Sequence, residues 1–110
     1  MNNRDMQLIQ KILSEIEVIE QFIAGFDVNT FLADERTQRA VCMTLINIGE
    51  LVKNLSENFK STHTDIPWRN IAGMRDITAH KYQTLKMVDV WHTVEQDIPD
   101  VKEQLKKLIK

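Results

Sequence analysis

Turn-forming residues are scarce in this 110-residue chain, which has three glycines and two prolines. That scarcity excludes collagen-like, proline-rich and low-complexity organisation, and leaves few places where a helix is forced to stop. There is one cysteine, so no internal disulfide can form; Cys42 lies in "AVCMTLI" and reads as a small buried hydrophobe. No apolar run approaches the roughly 20 residues of a bilayer span. The start, "MNNRDMQLIQ", lacks the apolar core of a secretory signal. The expected location is the cytoplasm, with no membrane partner. Internal repeats and convincing strand alternation are also missing.

A large positive excess is missing too. The net charge of −2 excludes a general nucleic-acid coat protein. The charge is uneven, however: residues 34–86 carry 8 basic against 6 acidic side chains, whereas 1–33 carry 2 against 5 and 87–110 carry 4 against 5. The one positive segment is a weak pointer to an anionic ligand.

What is present favours helices. Hydrophobic residues make up 43% and charged residues 27%, the profile of one soluble domain spanning residues 1–110. From Asp5 to Ile23 the apolar residues recur at steps of three and four, the pattern of a helix burying one stripe, and Gly25 is its expected stop. "FDVNTFLA" reads as a short connection. A long second helix is expected from about Asp34 to Phe59, with Val41, Leu45, Ile48, Val52, Leu55 and Phe59 on one face. "KSTHTDIP" reads as a loop whose proline opens a third helix, from about Trp68 to Lys81. A last helix begins near Leu85 and should be kinked or split at Pro99. The expected fold is all-α, an antiparallel bundle of four to five helices.

Several residues invite functional readings with plainer alternatives. His63 is expected to be a solvated loop histidine. Asp89 and His92 are three apart on the last helix, but a bundle metal site needs further ligands on facing helices and no second such pair exists. No metal or cofactor is therefore expected. Trp68 and Trp91 read as core or groove anchors. Gly49 implies close approach of another helix, and Glu50 is either a buried acid with a basic partner or a group facing water.

The octet "RDITAHKY" at 75–82 concentrates more chemistry than any other stretch. On one straight helix Arg75 and Tyr82 face one side about 10 Å apart. Asp76 and His80 are four apart, where the acid favours the protonated imidazole. Arg75 and His80, five apart, are separated by roughly 140° around the axis, so one helix does not unite them. Two copies paired about a two-fold axis would, and the small residues Ala72, Gly73 and Ala79 would let a second backbone approach. Paired arginines and histidines suit cleavage of RNA, whose own 2′-hydroxyl attacks the adjacent phosphorus while imidazole moves the proton and guanidinium stabilises the phosphorane charge. The plainer alternative is a surface helix with an incidental histidine.

Arg75, His80 and Tyr82 stand at the spacing Arg, four residues, His, one residue, Tyr. With "ERTQRAV", "NIGELVKNLS", "IPWRNIAGMRDITAHKY" and "VDVWHTVEQDIP" around it, the chain resembles the HepT-like branch of the HEPN-domain ribonuclease toxins. The resemblance implies a homodimeric, metal-independent ribonuclease, encoded beside a minimal nucleotidyltransferase antitoxin that transfers AMP to the motif tyrosine. It implies Arg75 and His80 as the catalytic pair, Asp76 as a supporting polar residue where many relatives have asparagine, and Tyr82 as the modified hydroxyl. Transfer RNA and messenger RNA are both open as substrates. The competing expectation is a non-catalytic HEPN module that binds a nucleotide or a protein.

Overall fold

The computed structural model describes residues 2–77 and 79–109, apart from the side chains of Arg75, Asp76, Ala79 and His80. Helix α1, Asn3–Ile23, begins at Asn2, whose side-chain oxygen accepts from the Asp5 amide at 2.6 Å. Its stripe of Ile9, Ile12, Ile16 and Ile19 is fully buried. Gly25 then turns the chain at φ +80°, a left-handed conformation that a side chain resists. The turn residues after it do not form a plain connection. Asp27 and Thr30 bond reciprocally across the first turn of a short helix α2, Val28–Leu32, which inserts Phe31 into the core.

Helix α3, Glu35–Lys53, starts near Asp34 as expected, and the Asp34 carboxylate caps it by accepting from the Thr37 amide at 3.1 Å. Val41, Leu45, Ile48 and Val52 line its inner face, and Gly49 is buried with them. Glu50 is exposed and is not a buried acid. The long second helix does not continue to Phe59. It stops at Lys53, and α4, Glu57–Thr62, starts anew with Ser56 as its cap.

That break is built by the start of the chain. Asp5 is 1% exposed, and its carboxylate accepts from the Ser56 amide at 2.9 Å and the Ser56 hydroxyl at 2.7 Å. Arg4 donates to the Asn54 carbonyl at 2.7 Å, satisfying the end of α3. Burial alone would raise the Asp5 carboxyl, but the two Ser56 hydrogen bonds and nearby Arg4 outweigh it and hold it below the ordinary value of 3.8. With the folded group depressed, its stabilisation is complete above the unfolded value and is lost as pH falls through the folded one. Asp5→Ala is expected to cost about 2–3 kcal/mol in urea denaturation at pH 7, and the difference from wild type should shrink below about pH 4.

Phe59 packs between His63 and Trp68, with ring centroids 4.7 and 5.8 Å away. The Trp68 indole donates to the His63 carbonyl at 2.8 Å. His63 is therefore half-buried against an aromatic ring and not a solvated loop residue. Trp68 and Trp91 are both core residues, as expected, and Trp91 lies 5.2 Å from Phe31.

The third helical region is divided where one helix was expected. Helix α5, Trp68–Ala72, tightens into a 3₁₀ turn, Gly73–Asp76; Ile77 is extended at ψ 108°, and α6 spans Ala79–Thr84. After α7, Met87–His92, a π-helical turn Thr93–Asp97 leads into α8, Ile98–Leu108. Pro99 cannot donate to a carbonyl four residues back, and the widened turn before it takes up this constraint, so the expected kink appears as a π turn. Helix α1 packs on α3 and α8, α3 packs on α5 and the 3₁₀ turn, and α2 bridges α3 and α7. Two polar links, Lys102 to Glu20 at 2.9 Å and Asn47 to Glu15 at 3.0 Å, join α8 and α3 to α1. The result is an all-α bundle with no strand among the described residues. Among the described residues no helix is long and apolar enough to cross a membrane.

Candidate active site

The motif is distributed over two short elements. Arg75 and Asp76 belong to the 3₁₀ turn, which rests on α3, whereas His80 and Tyr82 belong to α6. The break at Ile77 removes the straight helix on which the 10 Å separation of Arg75 and Tyr82 and the roughly 140° offset of Arg75 and His80 both depended. The side chains of Arg75, Asp76 and His80 lie outside the described positions, so the expected pairings among them carry no geometry. Gly73 faces solvent, and a Cβ built there meets no other described element within 4 Å.

Tyr82 is described in full. Its half-buried ring packs on the edge of the core, and the Arg39 guanidinium lies over it, 4.9 Å from the centroid. Arg39 is held in turn by Glu35, one turn earlier on α3, through contacts of 3.0 Å from Nε and 2.6 Å from a terminal nitrogen. Burial pushes the Tyr82 phenol above its ordinary value; Arg39 pulls it down, while Cys42 and Glu35 push it further up. The phenol is therefore neutral at physiological pH, and an attack by its oxygen needs a base to remove the proton. Cys42, beneath this corner, is buried and its thiol is pushed up to about 11 by desolvation, which makes it inert.

Tyr82 and Arg39 line a groove of about 670 Å³, walled by the end of α2, the start of α3 and the α6–α7 connection. Gln38 fixes one wall: its amide donates to the Phe31 and Leu32 carbonyls at 2.9 and 3.1 Å, closing the C-terminal end of α2. Arg39 and Gln38 were not singled out as site residues in the sequence. The only signal was an acid and an arginine four apart, Glu35 and Arg39, a pairing common on any exposed helix face. Among the described residues no three His, Cys, Asp or Glu side chains gather as a metal set. Asp89 and His92 thus have no third ligand among those residues.

Residues 12–108 match the family model described as "Ribonuclease HepT-like". A "Probable ribonuclease HepT" of Thermococcus cleftensis is 41% identical over 102 residues, covering 93% of each chain. A "Putative RNase" of Caldanaerobacter subterraneus subsp. tengcongensis is 35% identical over 101 residues, or 92% of this chain and 90% of its own. A further protein described as a "Putative RNase", from Methanocaldococcus jannaschii, is 32% identical over 111 residues, or 100% of this chain and 96% of its own. No solved structure gives a significant match. A match across nearly the whole helical bundle, motif included, places the chain in the ribonuclease HepT-like family.

Proposed function

We propose that this protein is a toxin that cuts RNA without a metal ion, works as a homodimer, and is silenced by AMP transfer to Tyr82 from a cognate nucleotidyltransferase antitoxin. The observation that carries this reading is that Arg75, His80 and Tyr82 all fall inside residues 12–108, the part of the chain that matches the ribonuclease family. The RNA 2′-oxygen attacks the adjacent phosphorus and the bond from phosphorus to the 5′-oxygen breaks. One His80 accepts the 2′-hydroxyl proton and the protonated His80 of a second copy supplies one to the leaving 5′-oxygen, giving a 2′,3′-cyclic phosphate. Arg75 stabilises the charge on the phosphate oxygens, and Asp76 supports the pair. Transfer RNA and messenger RNA both contain the required hydroxyl; DNA does not.

Silencing adds a bulky, negatively charged nucleotide two residues from His80, where it would hinder and repel an incoming RNA phosphate. The test uses the purified full chain, an RNA substrate and excess chelator. Cleavage should persist under chelation. Tyr82→Phe should cut RNA at close to the wild-type rate yet take up no AMP when produced together with the antitoxin. Cleavage that stops when metal is removed, or a Phe variant that the antitoxin still silences by adenylylation, would overturn the reading.

A further inference from the structure

The groove beside Tyr82 joins an apolar patch, Leu32, Leu85 and Met87, to a polar wall of Glu35, Gln38, Arg39 and Gln83, in which Arg39 is the cation among the described residues. Leu32 leaves 45% of its surface exposed at its rim, although the next residue inward, Phe31, is completely buried. Leu85 and Met87 are half-buried and line the same space as Leu32. The volume of about 670 Å³ lies within the roughly 300–1,000 Å³ usual for small-molecule sites. Arg39 reaches over the Tyr82 ring from a helix that Asp34 and Glu35 anchor at its first turn, so its position is set by α3 and not by the motif segment.

We propose that this groove is the seat of the nucleotide on Tyr82: Arg39 receives the phosphate, and the Leu32, Leu85 and Met87 surface receives the base. The proposal rests on the reading of Tyr82 as the modified residue. In the transfer a bond forms between the Tyr82 oxygen and the α-phosphorus of ATP, the bond from that phosphorus to the oxygen bridging to the β-phosphate breaks, pyrophosphate leaves with that oxygen, and the phenolic proton passes to a base of the transferase. The product is a phosphodiester with one negative charge, joined to the ring that Arg39 already covers. Arg39 exchanges its Glu35 carboxylate for this anion, which a guanidinium binds in the same forked geometry. The occupied groove thereby stores the nucleotide against the fold instead of leaving it loose in solvent.

Two measurements on the full chain test this. In the first, free AMP is titrated into unmodified protein and followed by nitrogen-15 chemical shifts; the Arg39 Nε and Leu85 amide signals should move, and Arg39→Ala should weaken binding at least about tenfold. In the second, protein produced with the antitoxin is confirmed by intact mass to carry AMP on Tyr82 and is digested with a nonspecific phosphodiesterase. Removal of AMP should be several-fold faster from Arg39→Ala, and Arg39→Lys should restore only part of the protection. Equal digestion rates together with AMP titrations that leave Arg39 unmoved would overturn the proposal. Mass spectra without AMP on Tyr82 would defeat the reading of Tyr82 and with it the seat proposed here, whatever free AMP does. A 2′-O-methyl oligoribonucleotide that displaces AMP with much higher, Arg39-dependent affinity would reassign the groove to RNA and also overturn the proposal.

Discussion

His80→Ala is expected to reduce RNA cleavage by about 10²- to 10⁴-fold, the size of a lost proton-transfer group. Alanine is the best helix former and α6 is only six residues long, Ala79–Thr84, so the substitution should not unfold the element that carries it. The comparison is a single-turnover cleavage assay beside circular dichroism and sedimentation of both proteins. A folded, dimeric His80→Ala protein that cuts RNA at the wild-type rate would remove His80 from the mechanism. Arg75→Lys is the companion variant. A lysine keeps the charge but not the planar fork, so it should recover only part of what Arg75→Ala loses.

A second variant tests whether the reactive cleft needs two subunits. Gly73 opens the 3₁₀ turn that carries Arg75, has an ordinary helical φ of −64°, and faces solvent, with no other described element within 4 Å of a Cβ placed there. Among the described residues nothing meets a Cβ at this solvent-facing position, and glycine in a helical segment is itself unfavourable by roughly 1 kcal/mol relative to alanine. Gly73→Trp should therefore fold with undiminished thermal stability as a monomer. If two copies meet at this face, the indole blocks their approach; the dimer should dissociate at micromolar concentration and cleavage should fall nearly as far as in His80→Ala. A Gly73→Trp protein that remains dimeric and active would place the subunit contact elsewhere. Gly73→Ala, with a single added carbon, controls for backbone effects.

Much of the bundle was legible because burial leaves a periodic mark. The stripes of α1 and α3, the Asp34 cap and the two tryptophan anchors all follow from apolar spacing and local hydrogen-bond chemistry. The misread boundaries share a different cause. The end of α3 is fixed by Asp5, 51 positions from Ser56, and no local pattern announces a cap supplied from that distance. Helix α2 was hidden because Asp27 and Thr30 suit a turn as well as a capping box. The division of the third region turns on Ile77, an apolar residue that fits a helical stripe yet adopts an extended conformation. At the candidate site Tyr82 was visible as the tyrosine of a motif. Its neighbour Arg39 was not, because 43 positions separate the two and only folding brings guanidinium and ring together.

The extended link at Ile77 makes the motif a jointed arm with two segments. Tyr82 and His80 ride on the distal segment, α6, while Arg75 stays with the proximal one seated on α3. On the proposed mechanism, a nucleotide on Tyr82 that turned α6 would carry His80 with it while Arg75 stayed with the turn seated on α3, so silencing would act on the alignment of the pair as well as on access.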